Sequence, residues 1–260
     1  MATKIISLQE AVHFVQDGQT LGLGGMTVYR RPVGFVRALL QRVPRPQNLT
    51  LLAFTAGLES DMLVGTGAVT RVRTCYFGLE TFGLAPMFTA AASEERIHIC
   101  EESEFSLAAG LRAQIGGVGF MPGRAWLGTD MLAVRPDVKT ITDPYTGETV
   151  VAFPAIPCDV AIIHVLKADK MGNAILGGNP TIDLELSLSA KTVILTTEEL
   201  VDRLEAPIDL PGLPITGVVP LPKGAWPTSC YPLYPLDGEE IMRYITACHD
   251  NQLEAYIHGE

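Results

Sequence analysis

The chain has 260 residues, 47% of them hydrophobic and 18% charged, with a formal net charge of -10. That is enough apolar material for one large α/β domain with apolar surface left over for a partner chain, and the acidic balance argues against nucleic acid as the main partner. Cys75, Cys100, Cys158, Cys230 and Cys248 are widely spaced with no C-x-x-C, which fits buried reduced thiols better than zinc ligands or a disulfide scaffold.

The segment from Met1 to Gln9 lacks the apolar core of a signal peptide. No uninterrupted apolar run approaches the ~18 residues of a membrane span, so a cytoplasmic location away from membranes is expected. Ser7 to Val15 reads as a first helix, with Ser7 as N-cap, Glu10 completing a capping box and Gly18 beyond its end. Thr20 to Leu23 reads as a strand closed by Gly24-Gly25. Pro32 can start a helix carrying Val33, Val36, Leu39 and Leu40 at helical spacing. Asn48 to Phe54 and Thr70 to Gly78 follow as strands, Met87 to Glu94 as a helix, Ile97 to Cys100 as a strand, and Phe105 to Ile115 as a helix. Val138 to Thr142 and Thr149 to Phe153 suggest a hairpin around a Pro/Gly-containing turn. Val160 to Val165 and Thr192 to Thr197 are continuous apolar runs suited to strands buried on both faces, with Leu184 to Ala190 as the crossover helix. This alternation predicts an α/β fold, a mostly parallel sheet flanked by helices. Prolines at 207, 211, 214, 220, 222, 227, 232 and 235 favour extended and turning chain. We therefore expect an α/β domain over 1–206 and, over 207–260, a Pro-rich arm and C-terminal helix packed on the same domain. That helix begins at Glu239 and runs to Leu253.

Four stretches could carry chemistry. Gly22-Leu23-Gly24-Gly25-Met26 lies at a strand end, where α/β sheets gather ligands. Its glycines serve either a structural turn or a loop whose free N–H groups meet an anion; the spacing is neither a dinucleotide fingerprint nor a P-loop. Tyr29-Arg30-Arg31-Pro32 puts two guanidinium groups at a helix start, either to meet a carboxylate or phosphate or as a solvated or subunit-bridging pair. Glu101, Glu102 and Glu104 precede the Phe105 helix, where a carboxylate can cap the helix or, if sheltered, act as acid, base or nucleophile. Ala168 to Ala174 reads as a tight turn. His98, His164, His249 and His258 form no ligand-like cluster, and His164 reads as a hydrogen-bonded core histidine. The absence of G-x-S-x-G and of His-x-x-x-His leaves serine-hydrolase and zinc-protease readings without support.

Taken in order, GLGGMTVYRRP at 22–32, NLTLLAFTAG at 48–57, FSLAAGLRAQIGGVGFMP at 105–122, LGTD at 127–130, DPYTGE at 143–148, HVLKADKMGNA at 164–174 and PKGAWPTSCYPLY at 222–234 resemble the alpha subunits of class I coenzyme A transferases, that of glutaconate CoA-transferase in particular. The resemblance implies an α/β fold shared with sugar-phosphate isomerases of the ribose-5-phosphate type. It also implies transfer of CoA between carboxylic acids through a glutamyl-CoA intermediate, with ping-pong kinetics. In that family the nucleophilic glutamate sits on the beta chain, in a Glu/Ser-Glu-Asn-Gly-type motif. Neither Glu59 before Ser60-Asp61 nor Glu80 before Thr81-Phe82 matches it. The resemblance thus implies an alpha-type chain without the nucleophile, in an α2β2-like assembly with a beta-type partner. Coenzyme A thioester is the co-substrate, with no further cofactor and no metal. Gly24, Gly25, Met26, Tyr29, Arg30, Arg31 and Glu80 become the candidate substrate-binding residues, with backbone N–H groups of the glycine loop near the thioester oxygen. A related branch hydrolyses a carbon–carbon bond in cyclic acyl-CoA compounds with a glutamate at the position of Glu104, the candidate catalytic residue here. A non-catalytic acyl-CoA-binding module on the same fold is a third alternative.

Overall fold

The computed structural model describes residues 3–205 and 207–259. Ala206, the expected end of the α/β domain, lies outside them, as do Met1 and Ala2 of the N-terminal segment and Glu260.

Helix α1 (Leu8–Val12) starts at Ser7, whose hydroxyl accepts from the Glu10 N–H at 3.1 Å while the Ser7 N–H donates to the Glu10 carboxylate at 2.8 Å. The capping box is as expected, but the helix stops at Val12 rather than Val15. Strand β1 (Thr20–Met26) runs through both glycines, past the expected end at Leu23. Next come α2 (Val33–Gln41), β2 (Leu49–Ala56), α3 (Leu58–Gly65), β3 (Val69–Thr74) and β4 (Tyr76–Phe77), the last two divided at Cys75 where one strand was expected. Then follow a single 3-10 turn at Glu80–Phe82, α4 (Pro86–Ser93), β5 (His98–Glu101) and α5 (Glu104–Ile115). A small unit comprises β6 (Phe120–Gly123), α6 (Met131–Val134), β7 (Lys139–Thr142) and β8 (Thr149–Pro154). The chain closes with β9 (Cys158–Asp169), β10 (Ala174–Ile175), α7 (Asp183–Ser189), β11 (Ala190–Val201), β12 (Gly217–Pro220), α8 (Gly238–His249) and α9 (Leu253–His258).

The main sheet has the order β12-β11-β9-β1-β2-β3-β5, all parallel. The short β4 adds to β2 in parallel, and β10 pairs with β9 antiparallel. The expected hairpin forms, as β7 and β8 of a separate antiparallel sheet ordered β6-β8-β7. In the central strands Leu51 and Ile162 face one apolar cluster with Phe35, Leu39, Met62, Tyr244 and Ile257, while Leu52 and Ile163 face the other with Leu107, Leu111 and Leu186. Helices cover both faces, so both sides of each central strand are apolar and the sequence runs read as continuous rather than alternating. The expected single C-terminal helix is broken at Asp250–Gln252, where Asn251 takes a left-handed conformation with φ 59°. No helix among the described residues is long and apolar enough to cross a membrane.

Candidate active site

The strands β1, β2, β3 and β5 are parallel, so their carboxyl ends open on one side of the sheet, and a cleft of about 490 Å³ lies there. Its lining is Met26 from the end of β1, Thr55 from β2, Cys75 and Tyr76 from the β3–β4 break, Glu80 from the 3-10 turn, and Glu102, Ser103 and Glu104 from the β5–α5 junction. Three candidates taken from the sequence, Met26, Glu80 and Glu104, therefore meet in one place. Of the lining residues, Glu80 takes a left-handed backbone at φ 54°, as do Thr27 and Arg30 just beyond Met26 at 41° and 53°.

Ser103 is the N-cap of α5. Its hydroxyl accepts from the Ser106 N–H at 3.2 Å and from the Trp126 indole N–H at 2.8 Å. Capping by Ser103 relieves the glutamates of the role the helix start suggested for them. Glu102 is buried. Its Oε1 accepts from Arg73 at 2.6 Å and Arg135 at 2.8 Å, and its Oε2 from the Ser106 hydroxyl at 2.5 Å. Two guanidinium groups and a hydroxyl hold its side chain in place. Glu80 and Glu104 are exposed to the cleft and enter no ion pair among the described residues. Cys75 donates to the Phe54 carbonyl at 2.8 Å, and burial, reinforced by the Glu104 carboxylate, pushes its thiol up to about 11. It is therefore a neutral S–H at physiological pH and no thiolate nucleophile.

The other candidates occupy the layer beneath. Arg30 and Arg31 have no exposed surface. Arg30 donates to Asp183 at 2.5 Å and to the His164 carbonyl at 2.7 Å; Arg31 donates to Glu59 at 2.6 Å and to the Gly25 carbonyl at 3.0 Å. These two residues, expected to meet an anionic acyl end or bridge subunits, form buried ion pairs within the chain, with Asp183 and Glu59 as partners. Two N–H groups of the glycine loop, expected near a thioester oxygen, are likewise engaged within the chain. The Gly25 N–H donates to Asp183 Oδ1 at 2.9 Å and the Met26 N–H to the Tyr29 carbonyl at 2.8 Å, so neither is free for a thioester oxygen. A Cβ on Gly24 would stand 2.5 Å from Asp183 Oδ1, and one on Gly25, at φ 81°, would collide with the Arg30 carbonyl. These glycines admit the protein's own carboxylate and returning backbone. Tyr29, half-buried, lies beside Arg30, its ring centroid 5.3 Å from the guanidinium carbon.

Sequence reasoning missed Asp183, Glu59, Thr55, Cys75 and Tyr76 as parts of this architecture. The available signal was acids set in apolar stretches, as in GLESDMLVG and TIDLELSL, where burial demands a cation or several hydrogen-bond donors.

His164, Glu198 and Cys230 offer three metal-ligand atoms within 4.8 Å of one another, so His164 is in a cluster after all. Its Nδ1 is 2.8 Å from the Thr196 hydroxyl and its Nε2 2.8 Å from Glu198, which also accepts from Tyr234 at 2.5 Å and the Lys223 N–H at 2.7 Å. Every polar atom of the imidazole and carboxylate is thus already satisfied. The group is a buried hydrogen-bond network tying residues 223–234 to the sheet, in keeping with His164 as a core histidine, and burial lowers the imidazole pKa.

The sequence model described as coenzyme A transferase matches residues 5–219. A 3-oxoadipate CoA-transferase subunit of Pseudomonas knackmussii is 31% identical over 98% of this chain and 94% of its own length. The cholesterol ring-cleaving hydrolase IpdA subunit of Rhodococcus jostii is 32% identical over 85% of this chain and 79% of its own length. A protein of Archaeoglobus fulgidus is 33% identical over all of this chain, which spans only 60% of that protein's length. Among solved structures, the decarboxylase AibA/AibB superposes with a TM-score of 0.91 at 30% identity, covering 100% of this chain and 98% of that one. Glutaconate coenzyme A-transferase of Acidaminococcus fermentans follows with a TM-score of 0.90 at 28% identity, covering 99% of this chain and 88% of its own. The fold is accordingly shared with these two solved structures, and the chain belongs to the coenzyme A transferase family.

Proposed function

We propose that this chain is the alpha-type subunit of a cytoplasmic, heteromeric CoA-transferase that moves CoA between carboxylic acids, assembled as an α2β2-like complex with a beta-type partner. The observation that carries this reading is the open cleft at the strand ends. It offers an acyl-sized space between the strand ends and the start of α5. Glu59 and Glu80 of this chain stand outside the family's nucleophile motif, so the nucleophile is assigned to the partner. The partner's glutamate oxygen attacks the thioester carbonyl, the C–S bond breaks, and an acyl–glutamyl anhydride and CoA thiolate result. The thiolate attacks the glutamyl carbonyl, releases the donor carboxylate and leaves a glutamyl-CoA thioester. The acceptor carboxylate repeats the two steps in reverse order, which restores the glutamate and yields the new acyl-CoA. This chain walls the acyl group with Met26, Thr55 and Tyr76 and keeps the Met26 loop in place through Asp183 and Glu59.

A second reading is supported by Glu104 at the cleft and by the similarity to the ring-cleaving hydrolase of Rhodococcus jostii. There the Glu104 carboxylate takes a proton from water, the hydroxide adds to a ring carbonyl, and the carbon–carbon bond breaks with its electron pair taken up by a proton.

The test is co-purification with the protein encoded beside this one, followed by an acyl-CoA panel with and without an acceptor carboxylate. The transferase predicts acceptor-dependent turnover and a glutamyl-CoA adduct on the partner, trapped by hydroxylamine or borohydride. Acceptor-independent turnover, lost in Glu104→Ala with no adduct on either chain, establishes the hydrolase instead. Ligand binding without turnover in any pairing points to the binding module.

A further inference from the structure

The charges in the cleft bear on which acyl group it accepts, given the transferase reading above. The lining carries three carboxylates, those of Glu80, Glu102 and Glu104, and no lysine or arginine among the described residues. Only Glu102 is neutralised in place, by Arg73 and Arg135, and Arg135 is itself shared with Asp137 at 2.8 Å. The two adjacent arginines that the sequence offers for a distal carboxylate, Arg30 and Arg31, lie fully buried in ion pairs with Asp183 and Glu59. Turning either outward would strand a buried carboxylate, which is far costlier than any surface contact it could gain. The remaining lining is a thioether, a neutral thiol, a threonine, a serine and an aromatic ring.

A substrate with a second carboxylate would thus bring an anion beside Glu80 and Glu104 with no cation of this chain to receive it. We infer that the acyl group held by this chain is uncharged, a monocarboxylic acyl chain rather than a dicarboxylic one, and that Glu80 is a specificity-determining residue that repels a distal carboxylate. Glu80 suits this role because it lines the cleft from the 3-10 turn, is exposed there and enters no ion pair among the described residues.

The test uses the complex with its partner and two acyl donors of five carbons, valeryl-CoA and glutaryl-CoA, with acetate as acceptor. Valeryl-CoA should have the higher kcat/KM by at least about tenfold at low ionic strength, and the gap should narrow as salt screens the carboxylates. Glu80→Gln should raise kcat/KM for glutaryl-CoA relative to valeryl-CoA by roughly threefold to tenfold, about what removing one charge a few ångströms away in a half-solvated cleft gives. Equal or faster use of glutaryl-CoA, or a preference for valeryl-CoA that neither salt nor Glu80→Gln moves, overturns the inference while leaving the transferase reading intact. Absence of transfer from every acyl-CoA tried, with the complex assembled, overturns the transferase reading and this inference with it.

Discussion

Asp61 lies buried in α3, where its Oδ1 accepts from the Phe88 N–H at 2.6 Å and its Oδ2 from the Met87 N–H at 3.2 Å and the Tyr244 hydroxyl at 2.6 Å. It serves as a remote cap for the start of α4 while tying α8 to the core. Burial pushes its carboxyl up to about 6, outweighing the three donors. Between the ordinary carboxylate value near 3.8 and about 6 the folded protein therefore holds a proton that the unfolded chain has lost. Stability from this group is complete below about pH 4 and declines as pH rises to about 6, by on the order of 3 kcal/mol. Thermal melts of wild type and Asp61→Asn across that window should show the variant free of this decline; parallel profiles would remove Asp61 as the cause. At the same scale, the presence of acids and arginines near the cleft was legible in the sequence, and their pairing was not. Arg30 and Arg31 find partners 153 and 28 residues away, and adjacency in sequence says nothing about which side chains the tertiary fold encloses.

Ser103 sets the orientation of α5 and hence the place of Glu104. Ser103→Ala removes the acceptor for the Ser106 N–H and leaves the partly buried Trp126 indole N–H without its partner. The expected loss is about 1–3 kcal/mol, read as a lower denaturant midpoint with an unchanged slope. Elements built on strong local signals were legible. Ser7 with Glu10 marked the start of α1, the apolar runs marked β9 and β11, and the Pro/Gly turn marked the β7–β8 hairpin. Helix α3 was not, because Leu58 to Val64 are buried all round, acids included, and no amphipathic period survives. The extension of β1 through Gly24 and Gly25 was also hidden. Glycines usually end a strand, and here β1 continues across an irregularity: its pairing with β2 runs to Leu23 and resumes at Met26, with Asp183 in the space a side chain on Gly24 would need.

The segment after residue 206 supplies β12, paired in parallel with β11, and in α8 and α9 it supplies Ile241, Tyr244, Cys248, Tyr256 and Ile257 to the same core as α1, α2 and α3. Glu198 on β11 binds Tyr234 and the Lys223 N–H, a further tie to the sheet. We propose that the α/β region and the Pro-rich arm with its helices are one folding unit. A chain ended at residue 205 should then lose its cooperative transition and fall into the insoluble fraction, whereas the full chain should unfold in one step; a soluble, cooperatively melting fragment would reverse this. By itself the sequence determined the α/β class, the order of most elements and the kinship with coenzyme A transferases, because hydrophobic period, caps and turn residues act over a few neighbouring positions. Only the tertiary structure decided that Met26, Glu80 and Glu104 share one cleft, that Gly25 donates its N–H to Asp183, and that the paired arginines lie buried in ion pairs with Asp183 and Glu59. Those outcomes depend on strands far apart in the chain lying side by side and on which charges the packed core can neutralise.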